Sequence, residues 1–474
     1  LPLPLVVQIT DRFNNAITGD LVTFNDSLIN GGVVIPATAR TDAAGFAQTT
    51  WRVGPLAGPL RIRVRTDGSG GQVVRFSATA TVQFRDVFAG DYFVCGVTTT
   101  DRSYCWGYGQ DGQLGSVAPI SRNAPSWPVT QVDTILGPFP TFRDVSGGKS
   151  HSCGVTIARS ILCWGFSPDG RAFFTPGSAF AIPASPAVAS VRAVVTGEAF
   201  SCYITLAGFP ACVGTNEVGE TGVLGPPPVP QTFSFLAAGQ RHSCGMPRLD
   251  PTTPATLLAS QRPWCWGSNG NGQLGDGTFI SSLTPVPLPA LVLPLVTFDS
   301  TSIVAGASHT CAIASFAPGV GGAAFCWGGN TSGQLGDGTA PPYAPGLRSA
   351  APLAVVGGNL FVRLYAGQFH TCGLTAVGLA YCWGRNSSGQ LGDGSTAMSG
   401  TPVAVAGGRT FSNLAMGELH TCGITGPGPG VTGTTGVAGA IYCWGDNEYG
   451  QLGQAVFGLN STPSLVPVRV MYQQ

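Results

Sequence analysis

Charge is scarce in this chain. Acidic and basic residues make up 10% of its 474 residues, 23 of each sign, so the formal net charge is zero. A surface that neutral has no basic stripe to neutralise phosphates, which excludes electrostatically driven nucleic-acid binding. It also lacks the charge excess of a disordered tail. Lysine is almost missing: Lys149 is the only one, against 22 arginines. No apolar run is long enough to span a membrane as a helix, because the most apolar stretch, 286–298, is broken by Pro287, Pro289 and Pro294. The chain starts at Leu1, not Met, with no leader-like segment, and reads as a mature or partial product. Cysteine is absent from the first 94 residues; all 14 copies lie from Cys95 onward.

Glycine (69), proline (37) and 43% apolar residues are abundant, a mix that suits many short strands joined by tight turns around a sizeable core. The chain is organised by a repeat. Cys382-Trp383-Gly384 running to Gly389-Gln390-Leu391-Gly392-Asp393-Gly394 recurs at Cys326-Trp327-Gly328 and Cys265-Trp266-Gly267. Shorter forms stand at Cys105-Trp106-Gly107 and Cys443-Trp444-Gly445, and worn ones at Cys163-Trp164-Gly165 and Cys212-Val213-Gly214. A second signature precedes each, best seen as Ala366-Gly367-Gln368-Phe369-His370-Thr371-Cys372, and Thr-Pro-x-x-Val segments such as Thr401-Pro402-Val403-Ala404-Val405 complete the unit. Strand-sized segments repeating at this period suit four-stranded propeller blades. The glycines serve tight turns. The Gly-Gln-Leu-Gly-Asp-Gly run lacks the Lys-Ser/Thr and helix start of a phosphate loop, and Asp276, Asp337 and Asp393 read as turn formers, not calcium ligands.

The Trp-Gly-x-Asn-x-x-Gly-Gln-Leu-Gly motif resembles the regulator of chromosome condensation repeat family over nearly all of 85–474. Seven units match that family's seven-bladed propeller. The first unit lacks its own Thr-Pro strand, so the C-terminal strand 461–470 is expected to complete the first blade and close the ring.

Residues 1–84 lack the repeat. Ala47, Thr49, Trp51 and Val53 alternate with polar residues, as do Leu60, Ile62 and Val64 with Arg61, Arg63 and Arg65. Period-two alternation over about seven short strands predicts a β-sandwich. Val22-Thr23-Phe24, Thr41-Asp42-Ala43 with Gly45, and Phe76-Ser77-Ala78-Thr79-Ala80 resemble bacterial immunoglobulin-like domains of invasin and intimin type. The resemblance starts late, at Leu3-Pro4-Leu5, so that family's first edge strand is short or absent: either the chain extends further upstream, the simpler reading, or another chain covers the edge in a homo-oligomer or larger extracellular assembly. The expected fold is all-β: an N-terminal immunoglobulin-like sandwich and a seven-bladed propeller.

The cysteines fall two per unit: Cys95/Cys105, Cys153/Cys163, Cys202/Cys212, Cys244/Cys265, Cys311/Cys326, Cys372/Cys382 and Cys422/Cys443. A three-residue loop, Ala376-Val377-Gly378, sets Cys372 opposite Cys382, with Gly378 in the left-handed position. Opposed cysteines on adjacent strands are close enough to bridge, so seven disulfides are expected, one per unit, and with them an oxidising compartment: extracellular, cell-surface or periplasmic. Two thiols per blade make a poor zinc site, and no metal or other cofactor is expected. His151, His242, His309, His370 and His420 each stand two residues before a cysteine, where Phe93 and Phe200 stand in the other units. That substitution marks a packing position, with the ring bonded to nearby backbone.

With no asymmetric catalytic constellation, the sequence predicts a bacterial, non-catalytic interaction or structural protein that binds protein or glycan. Inhibition of a secreted enzyme and guanine-nucleotide exchange are the alternatives. Departures from the repeat are the candidate binding residues: Phe173, Phe174 and Phe180 in 165–190, and Leu257 and Leu258 in the enlarged hairpin 246–263.

Overall fold

The computed structural model describes residues 3–114, 142–166, 190–222, 232–248, 262–289, 298–314, 321–427, 439–454 and 462–470, with short interruptions at 12, 14, 27–32, 53–57, 67–72, 81–83, 100–102, 300–301, 340 and 342–343. Every sheet is antiparallel, and residues 1–83 and 84–471 form two compact units.

The N-terminal unit holds two sheets. One orders Leu3–Gln8, Phe46–Arg52 and Val33–Ile35; the other orders Thr38–Arg40, Leu21–Asp26, Gly58–Thr66 and Val73–Ala80. Alternation decides which side chains turn inward. Val7 and Ala47 from the first sheet meet Val22, Phe24 and Val64 from the second in one buried cluster. Among the described residues, Leu3–Gln8 pairs on one side only, with Phe46–Arg52.

The second unit is a propeller of seven sheets. Blade 6 comprises Arg363–Ala366, His370–Leu374, Ala380–Gly384 and Ser399–Ala404, in that order from the central channel outward. Blades 4, 5 and 7 repeat this four-stranded pattern. In blades 1 to 3 the described residues supply three strands each, and 115–141, 167–189 and 223–231 lie outside the described residues.

The second and third strands of each blade are paired so that the cysteines face each other. Cys372 is the register partner of Cys382, and Gly378 closes the loop between them at φ +89°. Seven disulfides result: Cys95–Cys105, Cys153–Cys163, Cys202–Cys212, Cys244–Cys265, Cys311–Cys326, Cys372–Cys382 and Cys422–Cys443. Each closes a short loop and contributes about 2–3 kcal/mol in the chain-entropy account.

The C-terminal strand does not complete the first blade, contrary to the reading of the sequence. Ser464–Arg469 pairs with Ile441–Gly445 and is the outer strand of blade 7. The frame of the repeat explains the difference. A Thr-Pro strand follows its own Cys-Trp-Gly strand, as Ser399–Ala404 follows Ala380–Gly384, so it ends a blade and does not begin one. The ring closes through side-chain and bridge contacts instead. Trp106 Nε1 of blade 1 donates to the Gln451 carbonyl of blade 7 at 2.9 Å, and Phe84 and Gly439 exchange two backbone bonds of 3.1 Å.

That indole bond is the general joint between blades. Trp164 donates to the Gln113 carbonyl, Trp327 to Gln273, Trp383 to Gln334 and Trp444 to Gln390, all at 2.9–3.0 Å and all to the preceding blade. The glycine after Gln-Leu makes room for it. A Cβ on Gly392 would lie 2.6 Å from Trp444 Nε1, and its φ of +71° already disfavours a side chain. Blade 3 lacks the glutamine and carries Glu220 in its place; the buried Trp266 Nε1 of blade 4 has no partner.

Gly392→Ala is therefore expected to lower stability by about 2–4 kcal/mol, from backbone strain and loss of the indole bond. Thermal unfolding of the unreduced protein checks it. An unchanged midpoint would mean that the joint does not need this close approach.

Candidate functional site

The first strand of every blade ends in glycine at the central channel. The amide of that glycine donates to the carbonyl three residues on: Gly90 to Phe93, Gly148 to His151, Gly197 to Phe200, Gly239 to His242, Gly306 to His309, Gly367 to His370 and Gly417 to His420, all at 2.8–3.0 Å. Seven identical two-residue turns thus crown one mouth of the channel. The first residue of each turn forms a ring: Asp91, Lys149, Glu198, Gln240, Ala307, Gln368 and Glu418. Backbone bonds between turns hold it, from Glu198 to Gln240, Gln240 to Gly306, Ala307 to Gln368 and Glu418 to Asp91, at 3.0–3.3 Å. The channel beneath holds a cavity of about 90 Å³ that opens to solvent.

This ring is asymmetric, unlike the scaffold that carries it. Lys149, the sole lysine, forms an ion pair of 2.6 Å with Glu198, and this bond raises its pKa. Asp91 accepts a bond of 2.7 Å from Gln368 Nε2, across from blade 6. Burial pushes the Asp91 carboxyl up to about 6, with the Gln368 bond opposing and the Glu418 charge adding to the rise. Deeper along the first strands, Asp86 accepts 2.8 Å bonds from the Val87 amide and Asn413 Nδ2, and Tyr365 donates its hydroxyl to Asn413 at 2.7 Å. Burial raises the pKa of Asp86, and holds Asp144 up at about 6 against a bond from the Val194 amide. These polar groups lie on blades 6, 7, 1, 2 and 3.

Sequence reasoning passes over this ring. The available signal is that the first position after the turn glycine changes charge from blade to blade while its neighbours keep the frame. Of the residues singled out from the sequence, Phe173, Phe174, Phe180, Leu257 and Leu258 lie outside the described residues. Asp393 serves its turn, accepting from the Ser395 amide at 3.0 Å and from Asn386 Nδ2 at 3.2 Å.

The histidines are buried packing residues, but the expected backbone bond is not what their Nε2 atoms make. Nε2 meets a hydroxyl of the next blade: His151 with Ser201, His242 with Thr310, His309 with Thr371 and His370 with Thr421, at 2.8–2.9 Å. Thr310, Thr371 and Thr421 spend their own proton on the carbonyls of Gln273, Gln334 and Gln390. The hydroxyl can then only accept, so His242, His309 and His370 carry the proton on Nε2 and are neutral. Their Nδ1 atoms, and that of His420, have no partner. Burial depresses the pKa to about 3 for His242, His370 and His420 and to about 4 for His309. A base that cannot reach substrate is no catalyst, so the histidines stay structural.

Models of the regulator of chromosome condensation (RCC1) repeat match residues 101–155, 262–313, 378–424 and 438–473, and a second such model matches 84–113 and 361–390. The propeller is an RCC1-repeat β-propeller. It is similar to the E3 ubiquitin-protein ligase HERC2 of Homo sapiens, 25% identical over 67% of this chain and 6% of that protein. It is also similar to the ultraviolet-B receptor UVR8 of Arabidopsis thaliana, 29% identical over 61% of this chain and 62% of the relative. The secretion-regulating guanine nucleotide exchange factor of Bos taurus is 24% identical over 62% of each chain. The chain therefore spans less than two thirds of the length of each of these relatives. Prp20p of Saccharomyces cerevisiae shares the fold, with a TM-score of 0.58 and 18% identity over 82% of this chain and 87% of that one.

These findings correct two expectations and leave a third without support. The non-catalytic scaffold, and with it the exclusion of an enzyme, gives way to a relative named as an exchange factor. The bacterial setting gives way to eukaryotic relatives. The family matches begin at residue 84 and lend no support to an immunoglobulin-like identity for the N-terminal sheets. The seven disulfides fit an oxidising compartment, extracellular or periplasmic. No helix among the described residues is long and apolar enough to cross a membrane.

The depressed histidine pKa values set an acid limit on stability. The unfolded chain takes up protons near pH 6.5 and the folded one only near pH 3 to 4, so stability is full above pH 6.5 and is lost as pH falls. At pH 5 each such histidine costs about 2 kcal/mol. Asp91 and Asp144 act the other way, since their raised pKa values favour the folded state as pH falls below about 6. At about 1.4 kcal/mol each at pH 5, two aspartates do not offset four histidines. Unfolding at pH 7 and pH 5 checks this; equal or greater stability at pH 5 would place the histidine proton elsewhere.

Proposed function

We propose that the propeller binds a partner protein on its channel-mouth face and acts on it as a guanine-nucleotide exchange factor. The observation that supports this most is the named exchange factor matched over 62% of each chain. The activity suits the geometry. An exchange factor makes and breaks no covalent bond; it only needs to bind the nucleotide-free form of its partner more tightly than the loaded form. A hundredfold faster release asks for about 2.7 kcal/mol of differential binding. A ring of turns, fixed blade by blade through disulfides and carbonyl-bound indoles, presents a pre-organised surface for that purpose. The asymmetric charges around Asp91, Lys149, Glu198 and Glu418 would orient the partner on a rotationally repetitive scaffold.

We also infer that residues 3–80 form an immunoglobulin-like sandwich acting as a spacer, supported by the buried cluster between their two sheets. The disulfides constrain where exchange could occur: the partner has to be met in an oxidising compartment, or the propeller reduced first.

Release of a fluorescent guanine nucleotide from a panel of small GTPases, with the unreduced and the reduced protein, tests the proposal. At least one GTPase should release nucleotide about tenfold faster or more, and Lys149→Ala with Glu198→Ala should reduce the gain. No acceleration anywhere in the panel, in either redox state, would overturn it.

A further inference from the structure

Beside the channel mouth, three tyrosines from two blades touch one another. Tyr92 and Tyr108 belong to blade 1, and Tyr449 to blade 7. Ring centroids lie 5.0 Å apart for Tyr108 and Tyr449, 5.4 Å for Tyr92 and Tyr449, and 6.3 Å for Tyr92 and Tyr108, all edge to face. All three are half-buried. The turns that hold them belong to the repeat. The Tyr108 amide donates to the Tyr92 carbonyl at 2.9 Å, and the Tyr449 amide to Gln451 Oε1 at 2.9 Å. Their aromatic character is not general to it: where blade 1 has Tyr92, the other blades carry Ser150, Ala199, Arg241, Ser308, Phe369 and Leu419, so only blade 6 is also aromatic there.

Carboxylates surround this platform. Asp91 precedes Tyr92, and Glu418 and Asp91 act on the Tyr92 hydroxyl; Glu448, Asp446 and Glu418 act on that of Tyr449. Among the described residues, Asp91, Glu418, Asp446 and Glu448 form no ion pair with a lysine or arginine. Lys149 acts on Asp91 and Glu418 but directs its ion pair to Glu198, so in a chain with no net charge this acidic rim around an aromatic surface is a local departure. The rings fill one another's edges, so there is no cage for a methylated ammonium. Each ring stays partly exposed, and carboxylate acceptors stand beside the Tyr92 and Tyr449 hydroxyls. That complements a planar guanidinium, which stacks on an aromatic ring while its N–H groups reach carboxylates. The compact ammonium of lysine fits it less well.

We propose that the Tyr92–Tyr108–Tyr449 platform docks an arginine side chain presented by an exposed segment of a partner protein. This holds whether or not the propeller exchanges nucleotide, because it rests on the platform alone.

Titration of the intact, unreduced protein with blocked tetra-arginine and tetra-lysine peptides at about 50 mM salt tests the assignment. The arginine peptide should bind about tenfold more tightly. Tyr449→Leu should remove that preference, whereas Tyr449→Phe, which keeps the ring, should preserve it. Glu448→Gln, an exposed change, should weaken both peptides alike. Three results would overturn the proposal: no binding of tetra-arginine, equal affinity for the two peptides, or an arginine preference that survives Tyr449→Leu. If the tyrosines only seal the seam between blades 7 and 1, Tyr449→Leu would lower the unfolding midpoint and leave peptide binding unmoved, which also rejects it.

Discussion

The indole-to-carbonyl bond between neighbouring blades is the constraint on which the propeller depends. A four-stranded sheet buries one blade's side chains only if the next blade lies against it. Trp383 and its equivalents set that distance by reaching a backbone carbonyl of the preceding blade. The bond explains three features of the repeat together. The tryptophan is the donor. The Gly-Gln-Leu-Gly turn aims a carbonyl at it. The second glycine leaves space for the ring, since a Cβ on Gly336 would stand 2.8 Å from Trp383 Nε1. The threonine hydroxyls at Thr310, Thr371 and Thr421 converge on the same glutamine carbonyls, so one acceptor serves two donors from the following blade. Where the turn decays, as around Glu220, the joint decays with it, and Trp266 is left without a partner.

Features that each repeat states seven times were legible in the sequence. Paired cysteines, the three-residue loop at Gly378 and the strand alternation all follow from local spacing. Features fixed by where one unit stops and the next begins were not. The Thr-Pro segment precedes one blade and follows another, and nothing local says which it joins. Only the pairing of Ser464–Arg469 with Ile441–Gly445 decides it. The channel ring was hidden for a different reason. Its members lie 42 to 67 residues apart in sequence, each looks like an ordinary turn residue, and only rotation about the propeller axis makes them neighbours. The histidines were read correctly as packing positions, but their hydroxyl partners stand one blade away, beyond what spacing within a unit can tell.

The sparse charge has a structural consequence. Most blade positions carry none, so the charges that do reach the channel mouth are conspicuous: Asp91, Lys149, Glu198 and Glu418, on blades 1, 2, 3 and 7. Part-buried carboxylates such as Asp91 and Asp144 are costly to keep, since desolvation drives both toward the neutral form. A scaffold under no other demand would replace them with the small or apolar residues found at Ala193 and Ala307. Their presence argues that the channel mouth serves recognition as well as packing.

The disulfides and the ring joints answer different demands. Every bridge lies within a blade, between its second and third strands, and none crosses from one blade to another. Oxidation therefore staples hairpins but leaves the circle to non-covalent contacts. The seam between blade 7 and blade 1 is the joint that chain connectivity does not supply. It is held by the Trp106 bond to Gln451, the Phe84–Gly439 bridge, the Asn413–Asp86 bond and the three tyrosines. In reducing surroundings the blades would lose their staples while these seam contacts stayed chemically intact. Redox state then bears first on the rigidity of each blade, and only through it on the face that the ring of turns presents.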